Sequence, residues 1–260
     1  MRVTMPPKLP PYALCIALLL LAAGCASLPP GSQRDPRDRF ERYNRAMFSF
    51  NQAVDRTVVR PVAVGYTKIT PRPVRQGISN FLANLSYPVV IVNDVLQAKP
   101  ALFARDTARL VVNTTVGIGG LFDPASKWGL PANDEDLGQT FGRWGLPQGP
   151  YVMLPLLGPT TVRDGIGRVG DQFAEPRTYI DDSTVRYGLT GLDLLDTRAS
   201  LLDADEVMNR AFDPYAFVRN AYLQRRLYQV TDGNAPEEEF PEDDAAEEAV
   251  PAEKSGGGQK

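Results

Sequence analysis

The side chains that carry most enzymatic and metal chemistry are nearly absent from this 260-residue chain, which has no histidine and only two cysteines, Cys15 and Cys25. Without histidine there can be no Ser-His-Asp or Cys-His nucleophile, no HExxH zinc site and no imidazole proton shuttle. No GxSxG stretch occurs either. Carboxylates remain, with Asp134, Glu135 and Asp136 in one run and Asp203, Asp205 and Glu206 in another. A charge run is usually a solvated face, so no catalytic residue and no metal site is assigned and the chain is read as a non-enzyme. Gly165-Ile166-Gly167-Arg168-Val169-Gly170 matches the dinucleotide fingerprint letter for letter. That fingerprint needs a preceding strand and a βαβ unit, whereas the flanking pattern here is helical, so a nucleotide cofactor is rejected. Basic residues are scattered rather than clustered, which argues against nucleic acid.

Cys25 has a different use. Met1 to Tyr12 carries Arg2 and Lys8 with no acid, and Ala13 to Ala23 is an apolar run of eleven residues ending at Gly24-Cys25. The order charged, apolar, small is that of a secretory signal, and the run falls short of the roughly 18 to 20 residues that span a bilayer. Ala22-Ala23-Gly24-Cys25 resembles a bacterial lipobox, whose cysteine becomes the acylated N-terminus; the alternative is an ordinary signal with Cys25 incidental. Ala26 after that cysteine implies, by the same resemblance, sorting to the outer membrane. Since Cys15 is removed with the signal, a disulfide framework is excluded. At the other end, residues 232–260 carry ten acids against two lysines, with Pro236, Pro241 and Pro251 interspersed, and so read as a disordered acidic tail. It serves as a solubilising extension or a partner-binding arm. Four segments result: a signal peptide over 1–24, a lipidated linker over 25–34, one folded domain over 35–231, and the tail.

The elements of the domain follow from apolar spacing and caps. Asp35-Pro36, Asp123-Pro124 and Asp213-Pro214 each offer an N-cap acceptor before a residue that needs no N–H donor, so each is expected to start a helix. From Pro36, Phe40, Tyr43, Met47, Phe50 and Val54 form one stripe. Thr70-Pro71 opens a second helix with Val74, Ile78, Phe81, Leu82 and Leu85. Pro88 to Leu96 is rich in valine and fits a strand or a helix. Pro100 to Thr114 is helical. Thr160 is expected to cap a helix with the stripe Val162, Ile166, Val169 and Phe173. Ser183 to Ala199 and Pro214 to Tyr228 complete a mostly α domain. No later run is long enough to span a membrane.

Residues 113–163 differ in kind, with Gly117, Gly119, Gly120, Gly138, Gly142 and Gly145 interleaved with Phe122, Trp128, Phe141, Trp144 and Tyr151. Glycine this dense is entropically costly unless turns or close contacts require it, so function is expected here.

A family resemblance then emerges. Tyr43-Asn44-Arg45 with Phe48-Ser49-Phe50-Asn51, Val59-Arg60-Pro61-Val62, Asn113-Thr114 with Gly117-Ile118-Gly119-Gly120, Leu137-Gly138-Gln139-Thr140, Gly149-Pro150-Tyr151, Gly158-Pro159 with Arg163-Asp164, Asp196-Thr197-Arg198 and Asp213-Pro214-Tyr215 occur in order from about Asp35 to Arg226. The chain resembles the MlaA (VacJ) family. The resemblance implies an all-α ring of amphipathic, membrane-interfacial helices around a lipid channel, which makes Pro88 to Leu96 helical. It implies an outer-membrane lipoprotein, anchored in the inner leaflet and facing the periplasm, that takes stray phospholipid from the outer leaflet and passes it to a periplasmic carrier protein. The partners so implied are the outer membrane, phospholipid as the transported ligand, a trimeric porin and the carrier; no cofactor is implied beyond the covalent lipid on Cys25. Asn113, Gly117, Gly119 and Gly120 would bend near the lumen, and Phe122, Phe141, Trp144 and Tyr151 would touch acyl chains or the porin, unless they are plain core. Arg163, oriented by Asp164, would meet lipid phosphate, or the two form a local surface or helix-cap pair. The competing functional reading is a structural porin-associated lipoprotein that moves no lipid.

Overall fold

The computed structural model describes residues 35–234. The signal peptide, Cys25 and the tail beyond Asn234 lie outside the described residues.

The chain begins with α1 (Glu41–Val54), which runs through a π-helical turn at Asp55–Val59 into α2 (Arg60–Ile69). Pro61 sits in the first turn of α2 and has no N–H to offer the preceding turn, and the wider π turn is how the helix continues past it. Next come α3 (Arg72–Leu96) and α4 (Pro100–Thr115), which pack on each other. Pro88 lies inside α3, so the valine-rich segment is helix. The short helices α5 (Pro124–Lys127) and α6 (Leu137–Arg143) precede a two-stranded hairpin, β1 (Tyr151–Leu154) and β2 (Gly158–Thr161), paired antiparallel with Tyr151 opposite Thr161. After it come α7 (Val162–Asp171), a 3-10 turn at Pro176–Tyr179, α8 (Ser183–Ser200), α9 (Ala204–Arg210) and α10 (Pro214–Val230). Mostly α is therefore the observed class, and no helix among the described residues is long and apolar enough to cross a membrane.

Asp123 and Asp213 cap α5 and α10 as expected, each accepting backbone N–H groups of the first turn. Asp35 does not cap a helix: its carboxylate takes the backbone N–H and guanidinium of Arg37 and pairs with Arg219, which fixes a turn, and α1 begins only at Glu41. The cap of α7 is Thr161, one residue beyond Thr160, which belongs to β2. The folded body also reaches past 231, because Asp232 is held by Lys99 at 2.5 Å and Arg143 at 2.7 Å.

The apolar core is small and aromatic. Met47, Tyr151, Met153, Tyr215 and Leu223 bring α1, β1 and α10 together. The Tyr151 ring meets Tyr215 at 6.3 Å and Tyr222 at 6.1 Å, both edge-on. Asn44 and Asn51 lie two helical turns apart on α1 and serve as a strand-like edge for the hairpin. Asn44 donates to the Tyr151 carbonyl (3.1 Å) and accepts from Met153 N–H (2.8 Å); Asn51 donates to Leu154 (2.9 Å) and accepts from Leu156 (2.8 Å). Two amide side chains thus satisfy backbone groups that a third strand would otherwise pair.

Beyond that core, polarity is inverted. Arg163, Asp164 and Gly167 of α7 are buried, while its apolar stripe points outward, with Val162, Ile166, Val169 and Phe173 at 44%, 60%, 68% and 79% exposure. The stripe that the sequence spacing marks is therefore an outer face. On α1 only Met47 of the stripe is fully inside; Phe40 and Phe50 are exposed, as is Val74 on α3. In their place the interior takes Asn84, Asn93, Asp94, Gln97, Asp106, Arg109, Asn113, Gln139 and Arg226.

Candidate functional site

The glycine and aromatic middle is held by a buried ion network where α6, α7 and α10 meet. Asp136, the N-cap of α6, and Asp164, in the first turn of α7, both receive Arg226 from α10. Its guanidinium reaches Asp136 at 2.6 and 2.9 Å and Asp164 at 3.0 Å through two nitrogens. Arg163 adds a bond to Asp164 at 3.1 Å and Tyr222 one at 2.9 Å. Burial pushes the Asp164 and Asp136 carboxyls up, but Arg226 outweighs it and holds both below the ordinary range. The helices come this close because Gly167 has no side chain: a Cβ there would stand 2.4 Å from the Gly138 nitrogen. That explains one glycine of the false dinucleotide motif by packing.

The sequence-derived candidates separate in this frame. Asn113 is buried and clamps the turn after α4, donating to Asp123 at 3.0 Å and accepting from Ala125 N–H at 3.1 Å. Burial raises the Asp123 carboxyl, but Ser126, Arg109 and Asn113 bring it down to about 2. Gly117 is buried in the bend, and Gly120, at φ +89°, sits where a Cβ would come within 2.5 Å of Asn84; Gly119 is open. Phe122 (61%) and Trp144 (53%) are exposed; Phe141 is half-buried against Trp144, whose indole N–H donates to the Leu96 carbonyl at 3.0 Å. Tyr151, by contrast, is wholly enclosed in the core. Arg163 and Asp164 are bonded to each other and buried, not on the surface.

Two features were not legible. The first is a cavity of about 980 Å³ between the start of α4, the loop before α6, and the end of α10. Ala98, Pro100, Ala101 and Leu102 give it an apolar side; Lys99, Arg105, Glu135 and Arg143 give it a charged one. The carboxylate run at its edge is divided among partners. Asp134 pairs with Arg225 in solvent, Glu135 with buried Lys99 at 2.8 Å and Gln97 at 2.7 Å, and Asp136 with Arg226. The second is a polar seam along α8. Asp193 binds Arg177 at 2.5 Å, Asp196 binds Tyr66 at 3.0 Å and Ser79 at 2.5 Å, and Arg198 binds Asp55 at 2.7 Å and Asp205 at 2.9 Å. Burial, then Asp196, push the Tyr66 hydroxyl up to about 12. Asp193, Asp196 and Arg198 within two turns of α8 were the available signal, but such a charge cluster reads equally as a solvated face. Among the described residues no group of three acidic, histidine or cysteine side chains could hold a metal ion.

A helical shell with apolar stripes outward and ion pairs inward defines the class: an amphipathic-helix protein whose outer surface suits an apolar surrounding. The MlaA lipoprotein family model matches residues 36–229, and the chain belongs to that family. It is 37% identical over 239 residues to the intermembrane phospholipid transport system lipoprotein MlaA of Escherichia coli (strain K12), covering 90% of this chain and 94% of that one. The protein of the same description from Haemophilus influenzae is 33% identical over 241 residues, covering 89% and 94%. A solved structure from work on the structural basis for maintenance of bacterial outer membrane lipid asymmetry superposes with a TM-score of 0.69 at 37% identity, covering 76% of this chain and 100% of that chain.

Proposed function

We propose that this protein is an outer-membrane lipoprotein that removes mislocalised phospholipid from the outer leaflet and passes it to a periplasmic carrier, maintaining lipid asymmetry. The observation that carries the reading is the inverted polarity. Leaving Val162, Ile166, Val169 and Phe173 in water while burying Arg163 and Asp164 wastes apolar area at roughly 25 cal/mol per Å². Placed against acyl chains, the same stripe becomes favourable. The relatives' description as lipoproteins of an intermembrane phospholipid transport system supports a lipid phase, as does the lipobox-like Ala22-Ala23-Gly24-Cys25.

In this reading Cys25 carries the covalent lipid, and the helices lie in the inner leaflet with the periplasm beneath. Phe122, Phe141 and Trp144 face acyl chains or a trimeric porin. Asn113, Gly117, Gly119 and Gly120 fix the bend that presents Phe122, while Tyr151 packs in the aromatic core and Arg163 and Asp164 hold the α6–α7–α10 junction. The cavity beside α4 and α10 suits an amphiphile, since charged and apolar walls face one space, and a polar route lowers the desolvation cost of moving a headgroup. Transfer needs no bond made or broken, so no cofactor is required.

The test is outer-leaflet phospholipid in a deletion strain complemented with wild type or with Val169→Asp/Phe173→Asp. Wild type should restore asymmetry and the double variant should not, although both fold. Unchanged outer-leaflet phospholipid on deletion would leave a structural, porin-associated role.

A further inference from the structure

Beneath the wall of the large cavity lies a pair of acids with no role in the scheme above. Asp94 on α3 and Asp106 on α4 are both wholly buried, at 0% exposure. They are bridged by the Asn133 side-chain amide, 2.9 Å from Asp106 Oδ2 and 3.5 Å from Asp94 Oδ1. Asp94 Oδ2 has no hydrogen-bond partner although it is sealed from solvent.

Compensating charge is scarce on every side. On α4, Arg105 approaches Asp106 only loosely, at 3.3 and 3.4 Å, and Arg109 is engaged by Asp123, Ser126 and the Leu130 carbonyl. At the α3–α4 junction, Lys99 is committed to Glu135 and Asp232. The loop contributes Glu135, another negative charge, and α3 contributes the neutral Tyr87, whose hydroxyl accepts from Asn133 N–H at 3.3 Å. Two adjacent carboxylates in such a site cannot both ionise without large cost.

We propose that Asp94 and Asp106 form a proton-binding site, holding one proton between them, and that this proton keeps the loop of residues 130–136 closed as the wall of the cavity. The orphaned Asp94 Oδ2 is where the proton resides, so that a carboxylic acid rather than a second anion faces Asp106. Asn133 then spans one neutral and one charged group and ties the loop to both helices. Loss of the proton leaves two buried anions side by side with Glu135 nearby; Asn133 still donates to both, and it is the unrelieved repulsion and desolvation of the pair that favours opening the loop to water. Burial, then the charges of Asp106 and Glu135, push the Asp94 carboxyl up to about 7, which places the release near neutral pH. A carboxyl raised in the closed state stabilises closure fully below its value in the open state and loses that contribution as pH rises through its closed value. None of this depends on what the cavity carries.

Two measurements on the purified, detergent-solubilised full chain test the site. Infrared difference spectra between pH 6 and pH 9 should show a protonated carboxylic acid band in wild type that is weakened in Asp94→Asn, any remainder belonging to Asp171, which burial also raises. Backbone exchange at Asn133, corrected for its intrinsic pH dependence, should report loop opening that rises about tenfold per pH unit between pH 5 and 7 and then levels off. Asp94→Asn, neutral at every pH, should give a flat profile; Asp106→Asn, which removes one of the charges that raise Asp94 and leaves its burial, should move the levelling-off to lower pH and serves if the first variant does not fold. Absence of the acid band from folded wild type, or an unchanged pH profile in the variants, overturns the proposal.

Discussion

Replacing Arg226 by Met tests whether the polar interior, rather than the small aromatic core, holds the α6–α7–α10 junction. The side chain is 8% exposed and makes four hydrogen bonds to two carboxylates, of which Asp164 is 3% exposed and Asp136 30%. Methionine keeps much of the volume and removes the charge. Asp164 is then left with Arg163 and Tyr222, and Asp136 with the backbone and side-chain N–H groups of Gln139. Removing one partner of a buried ion pair costs about 3–5 kcal/mol, mainly from the uncompensated charge left behind. For a domain of this size that lowers Tm by roughly 6–20 °C. The adjacent Arg225 supplies the internal control: its pair with Asp134 is 71% and 64% exposed, so Arg225→Met should cost below about 1 kcal/mol. Thermal unfolding of both variants in the same detergent makes the comparison. The deficit of Arg226→Met should also narrow as pH falls into the carboxylate range, because protonation relieves the stranded anions. Equal melting of the two variants, or a deficit that does not change with pH, would refute the argument.

Asn44→Leu strands the Tyr151 carbonyl and Met153 N–H at the hairpin edge, and a loss of about 2–4 kcal/mol is expected in denaturant titrations. Gly167→Leu drives a side chain into the α6 backbone, so expression of folded protein should collapse, whereas Gly188→Ala, where a Cβ meets nothing, should be neutral. Wild type should lose stability on acidification, since the Asp136 and Asp164 carboxyls lie below their unfolded values and their contribution disappears as pH falls through the folded ones. Cys25→Ser should mislocalise the protein and leave asymmetry unrestored, read by membrane fractionation of complemented cells.

Much of the fold was legible because helices announce themselves locally. The aspartates before Pro124 and Pro214 marked starts that depend only on the neighbouring backbone. The Asp35 start failed because a distant partner, Arg219, and the adjacent Arg37 competed for the same carboxylate. Spacing found the α7 stripe but not which way it faces, since periodicity is identical for a stripe turned to a core and one turned to lipid. Among the site candidates, Phe122 and Trp144 surfaced and Tyr151 did not, because alternation along β1 put Tyr151 on the α1–α10 side. The cavity and most of the α8 seam join residues far apart in sequence; Asp94 and Asp106 are only twelve positions apart but lie on successive helices, and nothing local marks an acid that will meet another acid across a helix pair.

The inversion of polarity also constrains how this fold can be stable before it reaches a membrane. With exposed stripes on α1, α3 and α7, the chain in water gains little from burying apolar area outside the Met47–Tyr151–Leu223 core. Specific closure must come from charge pairs such as Arg226 with Asp136 and Asp164, Lys99 with Glu135, and Arg198 with Asp55 and Asp205. Buried pairs contribute geometry more than net free energy, because desolvation offsets most of their attraction. The folded form should therefore be marginal in solution and gain most of its stability on transfer to a lipid interface. Ion-pair variants and stripe variants should then separate: Arg226→Met lowers Tm in detergent and in vesicles alike, while Val169→Asp/Phe173→Asp leaves the detergent Tm nearly unchanged and abolishes the gain seen on adding vesicles.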